Sequence, residues 1–315
     1  MKKLFIISNS IDSTSDVLIS LCNKYNVEHF RWNIDLWQSY QITVSSTESK
    51  IEINSRSIDI LNDDYVTIWR KPFINLAEIS EPIPSNEKKF IQEQFNSWLQ
   101  YLCSIFRKRN ALRLVEPLGD RILPKLTQLS IAKKYFVVPE YCFSTKFSIL
   151  ESKEIITKPL GDPTISEGKI LYTTKVKKQD LFYPYPWFTQ SAIIGGSDVT
   201  CVHILGRNYF FKSEYKRSAN NLDWRTEINS ENQSKWTIFE TIDLEMLNEA
   251  TNQFMNDCGL KYGRLDFILS DDKLFFLECN PNGQFGWLDH PINLSLHKSF
   301  FDAIQSDKSI LKIGT

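Results

Sequence analysis

Two acidic residues interrupt otherwise oily segments near the C-terminal end of the sequence. Asp266 lies in RLDFILS, and Glu278 lies in LFFLECN, two residues before Asn280. Joined through Asp271-Asp272-Lys273, the segments read as a β-hairpin. Centring the turn on Asp272 pairs Ser270 with Leu274, Ile268 with Phe276 and Asp266 with Glu278. Side chains alternate faces with period two, so Asp266, Glu278 and Asn280 share one face. Leu265, Phe267, Leu269, Phe275, Leu277 and Cys279 form an apolar opposite face. Carboxylates that face each other across strands repel, so a positive charge is expected between them. Two carboxylates and an amide oxygen make a partial oxygen shell that suits Mg²⁺ completed by water and phosphate oxygens. The same pattern also fits a solvated face whose acids are neutralised by Arg264.

The surrounding elements are those of an α/β protein. KLFIIS reads as a buried strand, followed by a helical pattern over residues 17–25. YVTIW reads as a second strand, ending at Arg70-Lys71-Pro72. After Ser85 a long amphipathic helix carries Phe90, Ile91, Phe95, Trp98, Leu99, Leu102 and Phe106 on one stripe. This alternation predicts an N-terminal α/β domain over residues 1–115. From Glu116 the pattern changes. Pro124 opens a helix through Leu126, Leu129 and Ala132, and EYCFST, EIITKPL and KILYTTKV follow as short strands. The proline-rich YPYPWFTQ is read as a connection, which sets a central subdomain over 116–188 and a C-terminal one over 189–315. In the latter, residues 192–194, 199–205 and 209–212 read as strands. Asp243 is expected to cap a helix that Gly259 ends.

Bulk properties narrow the function classes. The chain has 315 residues, 42% hydrophobic and 24% charged, with net charge −1. A long chain of ordinary composition predicts several packed units, and no global basic field points to nucleic acid. No apolar run reaches membrane-spanning length. The six cysteines are scattered with no metal-ligand spacing, which predicts core thiols and a cytoplasmic setting. The four histidines show no ligand-like spacing, and no nucleophile–base pattern stands out.

The hairpin with its continuation, ECNPNGQFGW, resembles the metal-binding hairpin of ATP-grasp carboxylate–amine ligases. More narrowly, it is similar to the ATP-grasp maturases of graspetides, the microviridin-like peptides with side-chain ester or amide links; their grasp-with-spasm branch offers the nearest likeness. The resemblance implies an ATP-grasp fold with a pre-ATP-grasp α/β domain, a small central domain and a C-terminal ATP-grasp domain. It assigns Asp266, Glu278 and Asn280 to Mg²⁺. It places Lys125, at the head of KLTQLSIAKK, and Lys158, in IITKPLG, on the nucleotide. Gly161 and Gly168 would flank a flap over the phosphates. In FTQSAIIGGSDVT, Gln190 precedes the adenine-contacting backbone, Ile193 faces the base and Asp198 accepts ribose hydroxyls. Many relatives have arginine two residues after that acid. Here Thr200 stands instead, so the arginine's part is absent or supplied elsewhere, with Arg207 and Arg264 as candidates. Asp223 and Arg225, in NLDWRT, resemble an element that grips the acidic side chain of the peptide substrate, a task suited to a bidentate fork.

The implied activity is ATP-dependent. An Asp or Glu side chain of a ribosomally made precursor peptide, with leader and core, becomes an acyl phosphate. A Thr or Ser hydroxyl, or a Lys amine, then displaces phosphate and closes a macrocycle. A homodimer is one arrangement open to such an enzyme. Two other readings use the same residues: a different ATP-grasp ligase acting on small molecules or protein termini, and a non-catalytic nucleotide- or peptide-binding module.

Overall fold

The computed structural model describes residues 3–45, 47, 49–53, 56–59, 65–70, 84–108, 115, 123–145, 150, 154–161, 173–177, 181, 186–217, 236–241, 243–289 and 296–306. The chain divides into two compact units. One comprises Met1–Pro117 with Ser295–Thr315, the other Leu118–Leu294.

The first unit is built on a three-stranded parallel sheet in the order β2 (His29–Asn33), β1 (Lys3–Ser8), β6 (Tyr65–Trp69). Its strands are short apolar runs, and Leu4, Ile6, Ile7, Trp32 and Ile68 are essentially inaccessible. Helix α1 (Ser13–Lys24) starts at Asp12, whose carboxylate accepts the Ser15 N–H at 3.1 Å. That bond satisfies one of the free donors at the helix start. A separate antiparallel meander contains β3 (Gln41–Val44), β4 (Ser49–Ile53) and β5 (Arg56–Asp59). The long helix α2 (Ser85–Lys108) buries Leu99 and Leu102 and sets Trp98 against Trp32. Phe90, expected on the same stripe, is exposed. Arg70, at the end of β6, is fully buried, with Nε 3.8 Å from Asp12 Oδ2; Lys71 lies outside the described residues. The C-terminal helix Leu296–Ser306 packs in this unit, where Phe301 stacks on Tyr25 of the α1 end.

The second unit carries two antiparallel sheets. The smaller runs β7 (Tyr141–Ser144), β10 (Trp187–Ser191), β8 (Ile155–Thr157), β9 (Thr174–Val176). The segment WFTQS, expected within a connection, is therefore a central strand, and residues 192–194, expected as a strand, follow its end. The larger sheet runs β13 (Trp236–Ile238), β12 (Arg207–Lys216), β11 (Ser197–Ile204), β14 (Tyr262–Ser270), β15 (Lys273–Asn280). One face packs on α3 (Lys125–Ala132) and α4 (Leu244–Asp257) around Leu129, Val199, Phe254, Phe267 and Phe276. Phe136 fills the centre, stacked on Phe276 at 5.6 Å between ring centroids. Gly259 ends α4 with φ +67°, as its position implied. Asp243 stands at the helix start without making a side-chain cap. The other face of the sheet carries the acids.

Candidate active site

The hairpin turns more tightly than residue counting suggests. Asp271 and Asp272 alone form the turn, both with positive φ (48° and 58°), a conformation that aspartate tolerates and that matches strand twist. Ser270 therefore pairs with Lys273, Ile268 with Phe275 and Phe267 with Phe276. A bulge at Leu277 then shifts the register by one residue, so that Asp266 opposes Glu278 and Arg264 opposes Asn280. The expected acid pair thus forms, although the expected pairs nearer the turn do not. The core face is corrected accordingly: Leu274 and Phe276 join Leu265, Phe267, Leu269 and Cys279, while Phe275 and Leu277 fall outside that cluster.

The repulsion between the acids is offset by cations held at fixed positions. Arg264 grips Asp266 with a fork, Nε to Oδ1 at 3.1 Å and Nη2 to Oδ2 at 2.9 Å. Thr200, across β11, donates its hydroxyl to the same Oδ1 at 2.9 Å. Lys125 Nζ lies 2.9 Å from Glu278 Oε2. Burial opposes the charge on Glu278, yet Lys125, Lys158 and Arg264 together bring its carboxyl down to about 2. At the next position of this face, Arg217 donates Nε to both oxygens of Asp198 at 3.1 Å. A register irregularity between Ser197 and Val199 carries the end of β12 over Asp198, where the Arg217 N–H reaches Gly196 O.

Lys158 has no carboxylate of its own among the described residues. It follows β8, is 9% exposed and lies 5.8 Å from the Phe188 ring centroid. Burial, then the nearby Lys125 charge, lower its ammonium from an ordinary 10.5 to about 8, against the partial support of Glu278. Gln190 on β10 is 1% exposed, and neither polar atom of its amide finds a hydrogen-bond partner among the described residues. A buried amide with nothing to bond is costly within a finished fold and suits a site built to receive a polar ligand. Ile193 is half-buried just beyond.

The supporting residues explain why these groups stay aligned. Gln128, one turn beyond Lys125, accepts the Cys279 N–H at 2.7 Å and donates to Leu123 O at 3.0 Å. That bond fixes α3 against the edge strand β15 and sets Lys125 beside Glu278. The segment Asn280–Trp287 encloses Arg264. Nη1 donates to Gln284 O at 3.1 Å, and the guanidinium lies 5.1 Å from the Trp287 ring centroid. Gly283 is required there, because a Cβ would stand 2.5 Å from Arg264 Cβ. Asn280 Oδ1 accepts the Asn282 N–H at 3.1 Å and keeps a lone pair for another contact.

Lys125, Lys158, Gln190, Ile193, Asp198, Asp266, Glu278 and Asn280 all belong to the second unit. Lys125 and Glu278 are in direct contact; Thr200, Asp266 and Glu278 form a row across adjacent strands, and Asp198 lies two residues before Thr200 on β11. Asp223, Arg225 and the flap from residue 162 to Gly168 lie outside the described residues. Arg207, a candidate for the missing arginine, is exposed at the opposite end of β11 from Asp198. Sequence reading missed Arg217, Gln128 and the contact of Thr200 with Asp266; periodicity in β11 and β14 could have signalled only the last.

Among the described residues no cluster of three or more His, Cys, Asp or Glu side chains could hold a metal ion. Asp266, Glu278 and Asn280 offer two carboxylates and one amide oxygen, hard donors of the kind that fit Mg²⁺ when a ligand and water supply further oxygens.

No protein-family model matches the sequence, and no curated protein does. Solved structures match over almost the whole chain. The macrocyclase MdnC of Microcystis aeruginosa MRC, bound with precursor peptide MdnA, shares 18% identity and a TM-score of 0.79 over 96% of this chain and 99% of its own. A Chryseobacterium gregarium RiPP-associated ATP-grasp ligase, in complex with ADP and a leader and core peptide, shares 21% and 0.76 over 96% and 95%. The chain has the ATP-grasp fold. The D-alanyl-alanine synthetase A of Vibrio cholerae also matches, at 10% identity and a TM-score of 0.57 over 98% of both chains. No helix among the described residues is long and apolar enough to cross a membrane.

Proposed function

We propose that this ATP-grasp chain is an ATP-dependent ligase that macrocyclises a ribosomally made precursor peptide. The observation that carries the nucleotide reading is Lys158, a buried ammonium without a carboxylate partner among the described residues, near three acids that each have a cation. A polyphosphate is the ligand that would use this excess positive charge. Lys125 and Lys158 would bind its oxygens, and Gln190, Ile193 and Asp198 would form the nucleoside end. Asp266, Glu278 and Asn280 would hold Mg²⁺, which supplies charge neutralisation along the polyphosphate. On this reading the two sheets of the second unit would be the central and C-terminal subdomains that enclose ATP.

In the reaction, an oxygen of a peptide Asp or Glu side chain attacks the γ-phosphorus of ATP and ADP leaves. A Thr or Ser hydroxyl, or a Lys amine, then attacks the acyl carbon and expels phosphate, losing a proton. The chain contributes position and fixed charge, the main demands of phosphoryl transfer. Asp223 and Arg225 are proposed to grip the reacting acid. The peptide substrate is favoured over a small one by the full-length likeness to two peptide-bound structures, at TM-scores of 0.79 and 0.76 against 0.57 for the synthetase.

The test is incubation with ATP, Mg²⁺ and a candidate precursor peptide encoded beside the gene, read by mass spectrometry. Loss of one water per linkage, with fragmentation separating ester from amide, is expected. Addition of a free amine or amino acid to a substrate would instead establish the small-molecule or terminus-modifying ligase. Nucleotide binding without product from any candidate peptide would favour the binding module.

A further inference from the structure

The two claw carboxylates are neutralised in unequal ways. Arg264 is held on all sides: two bonds to Asp266, one to the Gln284 carbonyl, and the Trp287 ring alongside. Lys125 has one short contact, to Glu278 Oε2 at 2.9 Å, and one long one, to Pro159 O at 3.4 Å. Its backbone is anchored by Gln128 on α3, but its ammonium ends a flexible four-carbon stem. Pro159 directly follows Lys158, so the second contact already points Lys125 toward the other lysine of the site.

We propose that Lys125 is a place-holder for the metal: it occupies Glu278 until a polyphosphate draws it away, which couples metal binding to nucleotide binding. This rests on the ATP-grasp ligase reading above and concerns the order in which the same site fills. While the ion pair stands, a divalent cation approaching Glu278 meets an ammonium on one carboxylate oxygen and, at Asp266, a fork that does not release. Metal alone therefore binds weakly. A phosphate oxygen offers Lys125 a new partner one side-chain swing away, and Glu278 is then released to the ion. The nucleotide gains in turn, because the metal keeps Lys125 from returning. Coupling of this kind is reciprocal by thermodynamic necessity. Arg264, which has nowhere to go, stays with Asp266 and limits that carboxylate to a single remaining lone pair on Oδ2, since Oδ1 already accepts from both Arg264 and Thr200.

The experiment is Mn²⁺ binding by electron paramagnetic resonance, with and without saturating ADP, on the full chain and on Lys125→Met. Lys134→Met, an exposed lysine paired with Asp257, serves as control. In the wild type, ADP is expected to tighten Mn²⁺ binding by about tenfold or more, within the usual range of coupling. In Lys125→Met, Mn²⁺ alone binds about tenfold more tightly than to the wild type, and the further gain from ADP is smaller than in the wild type, reduced to what phosphate oxygens contribute as metal ligands. Lys134→Met behaves as wild type, and Glu278→Gln loses Mn²⁺ binding with or without ADP. Unchanged Mn²⁺ affinity in Lys125→Met, or full coupling retained there, overturns the place-holder. If Lys125→Met fails to fold, Lys125→Gln is used, with the same expectation. Failure of the underlying reading looks different: Mn²⁺ binding to the wild type would be absent even with ADP, or indifferent to Glu278→Gln.

Discussion

Lys158→Met should make the protein more stable at neutral pH while weakening its hold on nucleotide. The ammonium is nine-tenths buried and its pKa falls from 10.5 to about 8. At about 1.4 kcal/mol per pH unit, that difference corresponds to roughly 3 kcal/mol spent in keeping the charge inside the fold. Methionine has similar length and no charge, so urea unfolding at pH 7 is expected to show a gain of about 1–3 kcal/mol. The sign of the pH dependence follows from linkage. Below the folded value of about 8 the lysine is charged in both states and the penalty is complete. Between about 8 and 10.5 the unfolded chain holds more protons than the folded one, so rising pH stabilises the fold and erodes the advantage of methionine. Repeating the unfolding near pH 9.5 should therefore show a gain smaller by about 1–2 kcal/mol. ADP affinity, measured by calorimetry on the same samples, should fall at least about tenfold. A variant less stable than wild type at pH 7, with a difference indifferent to pH, would refute the reasoning and make Lys158 a structural cation.

Other perturbations probe the supporting residues. Gly283→Ala places a methyl group 2.5 Å from Arg264 Cβ and should cost about 1–3 kcal/mol in denaturant unfolding, with a higher Mg²⁺ requirement for ATP turnover. Thr200→Val keeps the shape but removes the hydroxyl from Asp266, which should cost about 1 kcal/mol and be restored by Thr200→Ser. The buried His203 has Nδ1 against Asn208 Oδ1 at 2.7 Å and Nε2 accepting the Gly206 N–H at 3.3 Å, so its neutral form fits the site. Burial lowers its pKa below 6.5, against the opposing effect of the Asn208 bond. Its contribution is therefore complete above pH 6.5 and is lost as pH falls through the folded value. His203→Leu should flatten the fall in unfolding free energy as pH drops below 6.5.

The acids on the hairpin were legible because strand periodicity constrains faces strongly. Counting placed Asp266 opposite Glu278 through two departures that cancel, a shorter turn and a bulge at Leu277. Neither was readable, since a bulge depends on which residue the partner strands can accommodate rather than on local preference. That is why Phe276, and not Phe275, reaches the core. Strand β10 was hidden behind the prolines of YPYP, whose signal for a connection outweighed five residues of WFTQS. The destination of the C-terminal helix was illegible for another reason: its apolar stripe specifies burial but not the partner, and the partner is α1, more than 270 residues earlier in the chain. The ligand roles of Lys125 and Lys158 came from family likeness alone, because an isolated lysine in a sequence carries no sign of burial.

Thr200 shows where sequence comparison and structure part. By position it replaces an arginine with a neutral hydroxyl, which implies a site short of one charge. In space no charge is missing. Arg217 arrives from beyond the end of β12 to hold Asp198, and Arg264, two residues before Asp266 on the same strand, holds Asp266, leaving Thr200 on β11 to orient that carboxylate. The requirement is for a cation near each acid, and antiparallel neighbours separated by many residues can meet it equally well. With Asp198, Asp266 and Glu278 each matched by Arg217, Arg264 and Lys125, the balance among the described residues leaves one surplus, Lys158. A buried surplus cation is unfavourable to the fold alone. An anionic ligand would offset that cost, and the buried Gln190 amide on the other sheet offers a donor and an acceptor to the polar end of the same ligand.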